Sequence, residues 1–266
     1  MQWCIGSRRG RVIAAAGALT LIIVVNGIAG RVLAEPATAD VPAVSTFAPA
    51  DVLVSQVNEW LKQFEADLAT PEEYAAKLTR VQRDAHSLAV VAAALILHDQ
   101  PHELKASAGE LLEGAQALAA ATDYAAAKAA NDRLRSPSAE KGEPLASITW
   151  DVQAAPIEPL MKQVTFIYNR LRRGVNGTRF EKQQAENARY AALLAVIGQV
   201  VSIDKTSLKE DSDAPKWREL CAAMRDEAGQ VGAAVKSLDQ AAAKSALERL
   251  DRSCTECHKI FRPDIQ

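Results

Sequence analysis

The chain has 266 residues, of which 48% are hydrophobic and 24% charged, with a formal net charge of −2. That length allows one large domain or two of ordinary size, and the composition excludes a disordered chain. No basic surplus exists for a nucleic-acid footprint, and with only 5% aromatic residues and recurrent alanine the sequence favours helices over sheets.

Residues 1–34 read as an export signal, with Arg8, Arg9 and Arg11 as the positive segment and an apolar run from Val12 to Ala29. Ala34 supplies the small residue at a cleavage point. The run 12–29 is also long enough to serve as an uncleaved membrane anchor, since a span takes about 20 apolar residues. Cleavage would remove four arginines and no acids, leaving 27 basic and 33 acidic side chains, a net of −6. The expected location is the periplasm or another exported compartment.

A Pro/Ala-rich leader occupies 35–50, and a succession of helical patterns follows. Apolar residues at a spacing of three and four predict helices over 52–69, 72–98, 102–121 and 123–136. A Pro/Gly-containing linker, 137–154, precedes a second set over 157–173, 178–203, 215–236 and 239–261. The two sets are related: Glu103–Leu134 lies over Glu219–Leu250 at a constant offset of 116 residues. Asp123 and Asp239 then fall at the head of matching "AAAK" helices, where a carboxylate caps free N–H groups. Upstream the offset is 103, setting Val57, Leu61, Phe64 and Leu68 over Leu160, Val164, Ile167 and Leu171. The expected fold is all-α, two tandem antiparallel four-helix bundles covering 51–136 and 155–266. A helical solenoid is the alternative, though two repeats are few for one.

The chemistry concentrates near the C-terminus, in Cys254-x-x-Cys257-His258. On a helix these residues stand at i, i+3 and i+4 and share one face, continuing the apolar seam of Ala243, Leu247, Leu250 and Phe261. A zinc ion would want a fourth ligand from a second short-spaced pair, and the other histidines, His86, His98 and His102, all lie in the first half. A thioredoxin-like pair would want a βαβ setting, which is missing. A covalent haem uses the pattern directly: two thiols form thioethers to the vinyl groups and the adjacent imidazole binds the iron. Of the other cysteines, Cys4 leaves with the signal and Cys221, in "WRELCAAM", reads as a small buried apolar residue.

A C-x-x-C-H followed by only a short "KIFR" tail, on the last helix of a bundle, resembles the class II c-type cytochromes, the cytochrome c′ family. The resemblance covers about 155–266. It implies one covalent haem c held by Cys254 and Cys257, with His258 on the iron. Arg262 matches a basic position after the motif, where it would approach a haem propionate or simply be solvated. At the 116 offset the first half offers Ser138, Lys141 and Gly142 in place of the cysteines and histidine, so that half is expected to be haem-free.

The sixth iron position separates two states within that resemblance. Met161, in "APIEPLMKQVTFIYNRLRRG", is either the sixth ligand of a six-coordinate electron carrier or ordinary core packing. In the second case Leu160 and Val164 line a five-coordinate site open to NO or CO. The expectation is an exported electron carrier rather than an enzyme, its partners being redox proteins. Gas binding is the alternative, and a haem-free partner-binding protein with a vestigial motif is the reading from another class. The family's homodimers imply either a dimer of this chain or a pseudo-dimer formed by its own two halves.

Overall fold

The computed structural model describes residues 41–136, 149–150 and 154–263. The expected signal, the first part of the leader and most of the linker lie outside them. Among the described residues there are eight α-helices and no strand. They are α1 (Ala50–Asp67), α2 (Pro71–Leu97), α3 (Ala108–Ala120), α4 (Tyr124–Arg135), α5 (Ile157–Asn176), α6 (Gln184–Val201), α7 (Ala214–Lys236) and α8 (Gln240–Phe261). No described helix is long and apolar enough to cross a membrane.

Helix starts follow local chemistry. The Asp123 carboxylate accepts from the Ala126 amide at 2.8 Å, and Asp239 accepts from Ala242 at 2.9 Å. The two matching helices therefore begin with the same cap. Thr70 caps α2 through the Glu73 amide at 3.2 Å, with Pro71 in the first turn, where its missing N–H costs nothing. Two helices start later than their periodicity predicts. Residues 178–183 and 101–107 form turns instead. Lys105 is drawn from a helix into a capping role, donating from Nζ to the Ile96 and His98 carbonyls at 2.7 and 2.8 Å, a cation on the C-terminal end of α2.

Within the first half α1 packs on α2, α2 on α3, α3 on α4, and α4 returns to α1; α5 to α8 repeat that ring. The halves also pack against each other, through α1 on α6 and α2 on α5 and α6. Pro42–Gln266 is one compact unit, and its buried side chains form a continuous apolar core. The helices at the junction are apolar all round: Ser87–Leu95 in α2 and Ala191–Val201 in α6 are buried without a break. Their many alanines let neighbours approach on every side.

The end of the leader belongs to this core. Val44–Thr46 form a 3-10 turn, and Val44, Phe47 and Ala48 are buried. Phe47 reaches across to α7, where a Cβ on Gly229 would come within 3.1 Å of its Cα. Ser45 donates from its amide to Asp99 Oδ1 at 2.9 Å. His98, buried, accepts from the Gln100 amide at Nδ1 (3.0 Å) and so donates from Nε2 to the Ala48 carbonyl (3.1 Å). Two of the first-half histidines are thereby structural, since His102 Nε2 likewise meets the Leu95 carbonyl at 2.9 Å.

Candidate haem-attachment site

Helix α8 is longer than its counterpart, 22 residues against 12. At the 116 offset, α4 ends at Arg135, which corresponds to Asp251. The added length carries Cys254, Cys257 and His258. The corresponding Ser138, Lys141 and Gly142 lie outside the described residues. All three motif side chains are half-buried, and the cysteines pack against the core beside buried Leu250 and Phe261.

Each cysteine faces a different neighbour. Cys254 looks towards α5, where the half-buried Tyr168 hydroxyl lies close to Asp251, one turn earlier on α8, whose carboxylate helps burial to raise its pKa. Burial, the largest influence, pushes the Cys254 thiol up to about 11. Cys257 looks towards α7, where the buried Cys221 thiol is near enough to influence it. That neighbour holds the Cys257 thiol below its usual pKa, while Cys257 and burial together push Cys221 up. Cys221 is buried, as its sequence setting predicts, but it is also a third sulfur at the motif. The sequence signal for it was αα-hairpin geometry: Cys221 and Cys257 stand at nearly equal distances from the turn at 237–239.

A tight helix contact holds Cys221 in place. Gly198 on α6 sits against α7 so closely that a Cβ there would come within 3.2 Å of the Cys221 carbonyl oxygen. Nearby, Trp217 donates from Nε1 to the Val201 carbonyl at 2.7 Å and meets Phe261 edge-on, ring centroids 5.0 Å apart. These contacts fix the start of α7 against the end of α8.

The register of α5 and α8 follows from two pairings: Tyr168 with Asp251, and Glu158 with the charge of Arg262. The helices are antiparallel, and Met161, one turn after Glu158, is level with His258, one turn before Arg262. Met161 is half-buried against the core, while Leu160 is fully buried. Arg262 is exposed, and its amide closes α8 on the His258 carbonyl at 2.9 Å. Two arginines further along α5 are engaged elsewhere. Arg170 donates to the Tyr190 hydroxyl at 3.1 Å and lies over the Phe166 ring, and Arg172 donates to Asn169.

The same end of the molecule holds a cavity of about 510 Å³ between the halves, bordered by His86 and Gln116, by Ala154–Glu158, and by Asp204 and Thr206. Asp204 is near enough for its charge to act on Cys221. Burial lowers the pKa of His86, as expected for an imidazole partly removed from water.

This donor set suits a haem c. Two sulfurs one helical turn apart face inward, an imidazole follows directly, and apolar residues continue above and below on the same face. No described side chain hydrogen-bonds to the His258 ring. Cys221 does not turn the group into a multi-ligand ion site: among the described residues no three His, Cys, Asp or Glu side chains gather where they could hold a metal ion. No family model matches the chain, and no curated protein or solved structure is significantly similar to it.

Proposed function

We propose that this chain is an exported c-type cytochrome that carries one haem, bonded through Cys254 and Cys257 with His258 on the iron, and passes electrons to and from redox proteins. The observation that carries the reading is the inward face of the α8 extension, which brings two thiols and an imidazole to one seam. Haem supplies a one-electron couple. The chain's own residues fix it covalently, exclude water from its buried edge with Leu250, Phe261 and Trp217, and balance charge at its rim with Arg262. Met161, level with His258 on the facing helix, is the sixth ligand in this reading; a thioether there favours ferrous iron and raises the potential. Similar coordination in both redox states keeps rearrangement small.

Two measurements test it. Mass spectrometry of the exported protein is expected to show one porphyrin on the peptide containing Cys254 and Cys257. The oxidised protein is expected to show a methionine-to-iron band that disappears in Met161→Ala. Free uptake of CO by the ferrous wild type, without that band, would replace electron carriage by gas binding.

A further inference from the structure

The turns at 177–183 and 237–239 lie side by side, at the opposite end of α8 from the cysteine motif. Gln184 Nε2 donates to the Val235 and Lys236 carbonyls at 3.2 and 3.0 Å, and Gln240 Nε2 donates to the Val175 and Gly177 carbonyls at 2.7 and 3.1 Å. Buried Phe180 fixes the first turn to the core. We propose that this end of the molecule is a membrane-docking face, on which basic side chains meet anionic phospholipid headgroups and Leu238 enters the lipid surface. The inference is independent of haem.

Charge sets this end apart. Residues 172–182 and 236–244 carry six basic side chains, Arg172, Arg173, Arg179, Lys182, Lys236 and Lys244, against two acidic ones, Glu181 and Asp239, a net of +4. The chain expected after export has a net of −6, so the positive field is local to these two turns. All six but Lys244 are exposed, and among the described residues none of the six forms an ion pair. The Asp239 carboxylate is occupied in capping α8. Lysines elsewhere are matched differently: Lys62, Lys77, Lys128, Lys162 and Lys216 each meet a carboxylate one turn away.

Leu238 is the second, independent observation. The Asp239 amide donates to the Ala234 carbonyl at 2.9 Å and the Leu238 amide to the Val235 carbonyl at 3.1 Å. These paired bonds close a helix on a left-handed residue, which is usually glycine. Leu238 holds that place at φ 60°, with 46% of its surface exposed. A lone exposed leucine needs no account. Here, however, the backbone and the solvent both favour glycine, and strain retained at an exposed tip points to function. An aliphatic side chain at the tip of a turn, next to Lys236 and on the same end as the other cations, is suited to an anionic bilayer: the cations stay at the phosphates while the leucine reaches the acyl boundary. The end of the leader is found here too. Ser45 and Thr46 border, with Gln184 and Lys236, a cavity of about 390 Å³, so the chain enters the folded core at the docking end.

The test sediments the exported protein with vesicles of phosphatidylcholine, alone or with about one-third phosphatidylglycerol. Binding is expected to the anionic vesicles only, with release at about 1 M salt, where screening acts within about 3 Å. Lys182→Gln combined with Lys236→Gln is expected to weaken binding roughly 30-fold, at about fivefold per charge. Leu238→Gly is expected to weaken it about five- to tenfold while the thermal midpoint rises, so unfolding does not explain the loss. Lys62→Gln combined with Lys128→Gln, the same charge change in the first half, is expected to leave binding within about twofold of wild type. The inference is overturned if anionic vesicles do not bind, if binding is undiminished in either Leu238→Gly or the Lys182/Lys236 variant, or if the first-half control weakens it equally. Binding to neutral vesicles that salt does not reverse would place attachment in the apolar run at 12–29 and also overturn it. So would binding of soluble glycerol phosphate or polyglutamate without vesicle binding, which would give the face to another anion.

Discussion

Replacing Gly198 by alanine tests how closely α6 and α7 are packed beside Cys221. A methyl group there would sit 2.9 Å from the Arg225 amide nitrogen and 3.2 Å from the Cys221 carbonyl oxygen, both backbone atoms of a packed helix. Overpacking of this kind costs about 1–3 kcal/mol, and rigid opposing atoms place it in the upper part of that range. Against it stands the better helix propensity of alanine, about 1 kcal/mol. The net loss is about 1–2 kcal/mol, which lowers the thermal midpoint by roughly 2–8 °C in a domain of this size. Gly232→Ala, on α7, is the matched control. Its methyl group meets only the Ala191 side chain, at an ordinary 3.5 Å, so the propensity gain stands and the midpoint rises by about 2–4 °C. Circular dichroism melts of the two variants should therefore move in opposite directions. If both rise, the α6–α7 approach is looser than described.

Asp84 gives a pH test of the contact between halves. It is buried against α5, accepting from Gln163 Nε2 at 3.2 Å and from Arg83 at 3.1 Å, and burial raises its pKa above the usual 3.8 despite both partners. The folded chain therefore keeps this proton to a higher pH than the unfolded chain does. Its contribution favours folding at low pH and fades as pH rises through the folded value. Urea titrations should show wild type losing stability relative to Asp84→Asn as pH increases from about 4, and the opposite slope would refute the assignment. Leu238, after α7, has φ of 60° and is exposed. A branched side chain in that left-handed conformation costs about 1–2 kcal/mol, so Leu238→Gly should raise the midpoint by a few degrees, offset in part by the freer unfolded backbone.

The repeat was legible because its signals are local. The capping aspartates and the 3–4 spacing each act within a few turns, and helices form where they predict apart from the late starts of α3 and α6. The seam of α8 was legible for the same reason. What periodicity did not convey was how the halves meet. The runs "SLAVVAAALIL" and "AALLAVIGQVV" lack a polar stripe, which is the mark of a helix surrounded by others, yet each is also compatible with one face of an isolated bundle. The Pro/Ala-rich composition of the leader gave no sign that its end joins the core, where Phe47 and Ala48 are anchored by partners some 50 to 180 positions away, among them His98 and Gly229. Cys221 was hidden by its own apolar neighbours. Its significance lies in a partner on the next helix, which requires the hairpin to be folded before the pair can be seen.

The uninterrupted interior shared by the two halves has a thermodynamic consequence. Neither half can melt while the other stays intact without stripping water-excluded faces of α2 and α6 and leaving Asp84 and Gln163 without each other. Heat should therefore dismantle the repeat as one cooperative event, with the calorimetric and van't Hoff enthalpies in agreement. The first half is in that sense a permanent part of the scaffold on which the last helix is held.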